Sequence, residues 1–216
     1  MRFIGITGGV GAGKSAILAH LAQRPRTRVM LADEIAHELM EPGGACYEKI
    51  REVFAGEDIF APRHSLGKDE TGIGNSELLT LGDIDRGKLA TVIFSDQEKR
   101  ERLNAIVHPA VKEYVKQTAA EERQRGELDL LVLEAALLIE EHYDEICDEL
   151  WYIYTREEIR KARLMESRGY SEEKVYRIFS SQLPEMEYRS HCRSVIDNNG
   201  TVEDAFLQID ALLAAK

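Results

Sequence analysis

The stretch that decides the fold is Gly8-Gly9-Val10-Gly11-Ala12-Gly13-Lys14-Ser15. It reads Gly, four residues, Gly, Lys, Ser. An apolar run, Phe3-Ile4-Gly5-Ile6, precedes it, and a helical pattern, Ile17, Leu18 and Leu21, follows. A phosphate-binding loop has this spacing and sits in this place, between a strand and a helix. Glycines let consecutive backbone N–H groups curl inward around an anion. The helix that follows adds its positive N-terminal end. Lys14 is long enough to reach the β- and γ-phosphates, and the Ser15 hydroxyl suits a magnesium ion. The candidate nucleotide-binding residues are Gly9, Gly11, Ala12, Gly13, Lys14, Ser15 and Ala16. An ordinary glycine-rich turn is the competing reading, but the Lys-Ser pair and the strand-to-helix context weigh against it. The stretch implies binding of a nucleoside triphosphate.

With 216 residues the chain is long enough for one well-buried core. Its 44% hydrophobic and 31% charged content fits a soluble globular protein. No apolar run approaches the roughly 20 residues needed to span a bilayer. The loop begins at Gly8, leaving no room for a cleavable leader, so a cytoplasmic protein is expected. The three cysteines, Cys46, Cys147 and Cys192, are far apart and lack metal-ligand spacing. They are expected to be reduced small side chains. The formal net charge of −11 argues against nucleic acid or an anionic membrane as the main partner. An anionic substrate requires arginines and lysines gathered locally against that field.

Outward from the loop, Phe3 to Thr7 reads as a central strand, apolar on both faces. Lys14 to Ala22 reads as a helix stopped by Pro25. Thr27 to Ala32 reads as a second strand with Asp33 at its carboxyl end. That end faces the ligand crevice in open α/β sheets, so Asp33 is placed to take a proton from an acceptor hydroxyl. The residue type equally suits the cap of a helix over Glu34 to Met40. Cys46 to Ala55 reads as a helix, and residues 56 to 82 carry no clear period. Ile84 to Gly126 is helical almost throughout, with His108-Pro109 expected to separate two helices. His108 reads either as a packing residue or as a ligand contact.

Leu128 to Glu134 is an apolar strand ending in an acid. A carboxylate at that end of a second nucleotide-binding strand holds magnesium through water. Leu150 to Thr155 is the next strand, rich in aromatic and β-branched residues. In the helix that follows, Arg156, Arg160 and Arg163 share a face within roughly 60°, with Arg168 further round. They read either as a lid closing over phosphates or as a solvated face paired with nearby glutamates. Val195-Ile196 is a short last strand, followed by the turn Asp197-Asn198-Asn199-Gly200 and a helix that Thr201 could cap.

This order of elements predicts an α/β fold: a doubly wound, five-stranded parallel sheet of the P-loop kinase type. The whole chain, 1–216, reads as one P-loop kinase domain. A helical acceptor-binding insertion covers 42–126 and a helical lid covers 156–191.

The chain resembles the dephospho-CoA kinase family nearly from end to end. The resemblance rests on Ile6 to Ser15, on Ala32-Asp33 with Ile35-Ala36, and on Glu41-Pro42-Gly43. It continues through Asp85-Arg86, Leu89, Phe94, Leu103 and His108-Pro109. Glu134 to Glu140, Arg163-Leu164, Arg168, Gln182 and Val195-Ile196-Asp197-Asn198 complete it. It implies ATP-dependent phosphorylation of the ribose 3′-hydroxyl of dephospho-CoA, with Mg2+ as the metal. It further implies that Lys14, Asp33, Arg163 and Arg168 are catalytic, with Asp33 as the base. Asp33, Arg86 and His108 would meet the substrate, and Ser15 and Glu134 the metal. Leu31, Ala136, Cys192-Arg193-Ser194 and Ala16 depart from the family pattern. Two other readings are a related P-loop kinase acting on another nucleoside or nucleotide, and a nucleotide-binding regulatory protein that has lost turnover.

Overall fold

The computed structural model describes residues 1–61 and 83–215. The expectation of an unpatterned stretch over 56–82 therefore lies mostly outside the described residues. The described chain forms two compact units: Met1–Ala32 with the chain from Lys116 onward, and Asp33–Val115.

The first unit is built on a sheet of five strands: β1 (Arg2–Thr7), β2 (Thr27–Leu31), β3 (Leu130–Glu134), β4 (Glu149–Tyr154) and β5 (Ser194–Asp197). All four pairings are parallel. The order is β2-β3-β1-β4-β5. The expected five-stranded parallel sheet is thus the observed one. The chain runs outward on one side of β1 and then returns to build the other. The ligand crevice of such a sheet lies beyond the carboxyl ends of its strands, near that reversal.

Strand periodicity explains the core. Alternate residues Ile4 and Ile6, Leu130 and Val132, Trp151 and Ile153, with Ile196, share one cluster. Helices α1 (Lys14–Ala22) and α9 (Val202–Ala214) contribute Ile17, Leu18, Leu21, Ala205 and Ile209 to it. The intervening residues Phe3, Leu131 and Leu133 are fully buried as well. Burial on both faces is what makes β1 and β3 read as unbroken apolar runs. The expected cap on α9 is present as a full capping box, Thr201 with Asp204.

Three further helices follow β4: α6 (Glu157–Arg168), α7 (Glu172–Ser180) and α8 (Glu185–His191). Gly169 ends α6 in the left-handed conformation, at φ 61°. Ser171 caps α7 by accepting from the Lys174 N–H.

The second unit holds α2 (Ala32–Met40), which begins within the first unit, then α3 (Tyr47–Val53) and α4 (Arg86–Ser95). It also holds the first part of α5 (Gln97–Arg125). Here one expectation is corrected. His108-Pro109 does not separate two helices; Pro109 lies inside the 29-residue α5. The break falls instead at Asp96, whose extended backbone ends α4. Pro109 removes the hydrogen bond to the carbonyl of Ala105. Ala105 is exposed, so that carbonyl meets water rather than protein. Buried Ile106, Val107, Val111 and Val115 anchor the helix on both sides of the gap.

Candidate nucleotide site

The loop between β1 and α1 is shaped by two kinds of glycine requirement. Gly13, the residue before α1, has φ 89° and ψ 19°, which an L side chain adopts only with strain. Gly8 is required for space, since a Cβ there would fall 2.6 Å from the Ile153 carbonyl oxygen, and a Cβ on Gly9 would fall 2.3 Å from the guanidinium carbon of Arg160 and displace it. The first turn of α1 has no side-chain cap and no acidic residue. Its N–H groups therefore have neither a competing acceptor on the cap nor a repelling charge, as an anion site at a helix N-terminus requires.

Lys14 donates from Nζ to the Gly8 carbonyl at 2.7 Å and lies 3.6 Å from Glu134 Oε1. Glu134 is the last residue of β3 and stands in register with Ile6 on one side and Leu31 on the other. The strand end that carries Glu134 is thus level with the strand that feeds the loop. Lys14 and Glu134 are mostly buried, whereas Ser15 is exposed. A hydroxyl and a carboxylate are hard oxygen donors. They fit a magnesium ion that takes its other ligands from phosphates and water. Among the described residues no group of three or more His, Cys, Asp or Glu is placed to hold a metal alone.

The outer side of the loop is gripped by residues far away in sequence. The Ala12 carbonyl accepts from Asn198 Nδ2 at 2.7 Å, from Thr155 Oγ1 at 3.1 Å and, at 3.5 Å, from Arg163. Arg163 also donates to the Asn198 carbonyl at 3.1 Å. Asn198 is buried, and its Oδ1 has no hydrogen-bond partner. Arg160 donates from Nε to the Val10 carbonyl at 2.9 Å and also bonds Gln182. The expected arginine face of α6 thus divides. Arg160 and Arg163 turn to the loop, while Arg156 is exposed and donates to Asn199.

The remaining candidates stand elsewhere. Arg168, in the last turn of α6, is exposed and lies 6.0 Å over the Tyr170 ring; it makes none of the loop contacts described for Arg160 and Arg163. Asp33 is exposed and is the second residue of α2, within its first turn rather than before it. A residue inside the first turn is not an N-cap, although its charge still suits the helix dipole. Arg86 begins α4 and pairs with Glu41. It lines a small pocket of the second unit with Met40, Tyr47, Asp83 and Leu89. Across that pocket Tyr47 Oη donates to Asp83 at 2.7 Å. His108 lies half-buried in the middle of α5. The grips of Thr155 and Asn198 on Ala12 carry no local sequence signal. A buried Thr at a strand end and an Asn in a turn are both ordinary there.

Comparison with known proteins agrees with this geometry. Residues 2–204 match the family described as Dephospho-CoA kinase. A dephospho-CoA kinase from Oceanobacillus iheyensis is 35% identical over 210 residues, covering 97% of this chain and 95% of that protein. One from Geobacter sulfurreducens is 33% identical over 216 residues, covering 100% and 99%. A Thermus thermophilus protein of known crystal structure superposes with a TM-score of 0.71 at 30% identity, covering 99% of this chain and 96% of that one. The chain belongs to the dephospho-CoA kinase family.

Proposed function

We propose that this chain transfers the γ-phosphoryl group of ATP to the ribose 3′-hydroxyl of dephospho-CoA. The observation that carries the reading is the loop Gly8–Ser15 with Lys14 beside Glu134, in a chain of this family. In the proposed reaction the 3′-oxygen attacks the γ-phosphorus as its proton passes to a carboxylate. The bond from that phosphorus to the bridging oxygen breaks, and ADP leaves with the electron pair. Asp33 is the proposed base. It follows the carboxyl end of β2 by two residues, the end that faces the crevice in sheets of this kind.

Lys14 would stabilise charge on the transferring group, held in place by the Gly8 carbonyl. Ser15 and Glu134 would hold magnesium, which when bound neutralises charge on the phosphates. Arg163 would act from α6, and Arg168 would join it only after leaving Tyr170. Arg86 and His108 are proposed to meet the acceptor. Leu31, where the family pattern has Asp, ends β2 beside Glu134. An apolar residue there leaves Asp33 as the carboxylate of that segment nearest the strand.

The direct test incubates the full chain with Mg-ATP and dephospho-CoA and measures coenzyme A by mass spectrometry. Formation of coenzyme A with one ADP per product is expected. Intact ATP binding with no product would refute the reading.

A further inference from the structure

Most arginines of the first unit whose contacts are described are paired with carboxylates. Arg2 pairs with Glu149, Arg24 with Asp210, Arg28 with Glu122 and Arg123 with Asp148. Arg160 differs. It is 8% exposed, the most buried of these cations, and its partners are all neutral. They are the Val10 carbonyl, the Gln182 amide oxygen and the Phe179 ring, 4.2 Å from the guanidinium carbon. Among the described residues no carboxylate lies within ion-pair distance of it. Glu157, on its own helix, acts only through space. Burial pulls the guanidinium below its ordinary range, more strongly than Tyr152, Glu157 and Tyr188 push it back.

A buried cation without an anion is costly, and the neutral partners of Arg160 satisfy its N–H groups without supplying a paired carboxylate. The same guanidinium touches the loop at the position where Gly9 has no side chain. The loop is built to hold an anion, and in a dry site opposite charges attract far more strongly than in water.

We propose that Arg160 is a positioning residue of the nucleotide loop whose buried charge is balanced by the phosphates of the bound nucleotide, so that it sets the affinity for a polyphosphate chain. The inference rests on the reading of Gly8–Ser15 as an ATP site. Arg160 acts in two ways. It fixes the Val10 carbonyl, and so the curvature of the loop. It also leaves a net positive charge that only an incoming anion satisfies. Gln182, two residues past the end of α7, orients the guanidinium without neutralising it. A glutamate in its place would remove the need for the ligand.

The test measures binding of ATP, ADP and inorganic tripolyphosphate to the full chain by calorimetry. Three variants are compared with the parent: Arg160→Met, Arg160→Lys and Gln182→Glu. Arg160→Met is expected to weaken tripolyphosphate and ATP by about tenfold or more, and ADP less. Arg160→Lys recovers most of the loss, because it keeps the charge. Gln182→Glu leaves Arg160 intact but supplies a carboxylate. It is expected to raise the melting temperature while weakening tripolyphosphate by about tenfold. This last variant keeps the test decisive if Arg160→Met does not fold. Unchanged tripolyphosphate affinity in Gln182→Glu, or equal losses in Arg160→Met and Arg160→Lys, would overturn the inference while leaving the ATP site standing. A parent that binds neither ATP nor tripolyphosphate would overturn both.

Discussion

A double-mutant cycle on Gly13 and Asn198 tests how the loop is held. Gly13→Ala places a Cβ 2.4 Å from Asn198 Nδ2, closer than any real Cβ contact. Asn198 cannot swing away freely, since the same nitrogen donates to Ala12 at 2.7 Å in a buried place. Overpacking of this kind costs about 1–3 kcal/mol. The left-handed backbone at φ 89° adds about 1–2 kcal/mol for an L side chain. Asn198→Ala alone loses one buried hydrogen bond, but Thr155 still donates to the Ala12 carbonyl, so its cost is about 1–2 kcal/mol. In the double variant the clash disappears while the backbone strain stays. The two changes should therefore fall short of additivity by about 1–3 kcal/mol. Urea denaturation with a constant slope measures each corner of the cycle. Additivity within about 0.5 kcal/mol would show that Asn198 does not confine Gly13, and the account of the loop would fail.

Asp33→Asn keeps the shape of the proposed base and removes its proton affinity. Turnover should drop by about 10²-fold or more with ATP affinity retained, and surviving turnover removes Asp33 from that role. Glu149 gives a pH dependence. Burial alone would raise its carboxyl, but Arg2, 2.5 Å away, Trp151 and Arg193 together hold it below its ordinary 4.5. A depressed native value means the stabilisation is present above the unfolded value and is lost as pH falls through the native one. The stability advantage of the parent over Glu149→Gln should thus shrink as pH falls below about 4.5, whereas a difference independent of pH in chemical denaturation contradicts this. Leu131→Ala empties a fully buried position on β3 and should cost about 2–5 kcal/mol in the same assay, with a smaller loss indicating that the site collapses.

What the sequence made legible was local. The loop, the apolar strands and the acid closing β3 are contiguous patterns, and each forms where its residues predict. Sheet class followed from the alternation of strands and helices. Features made by residues distant along the chain were not legible. Thr155 and Asn198 reach the loop across 143 and 186 positions, and nothing in their immediate neighbours marks that contact; helical spacing grouped Arg160 with Arg156 and Arg163, but not with the Val10 carbonyl 150 positions away. His108-Pro109 misled for a related reason. Proline is a local stop signal, but the apolar anchoring of α5 on either side and the exposure of Ala105 decide whether the helix continues. Arg168 shares a helix with Arg163. Its different surroundings depend on Gly169 and Tyr170, where the chain turns away.

The grip on Ala12 also bears on the order in which the protein matures during synthesis. The phosphate loop leaves the ribosome well before Asn198, the residue whose amide holds its carbonyl. β1 is likewise central in the sheet and needs β3 and β4 on its flanks. A nascent chain therefore carries the loop sequence long before it carries a finished loop. Competence to hold a nucleotide should arrive late and abruptly, once β5 has docked. Until then the growing chain is shielded from binding ATP in a half-made fold.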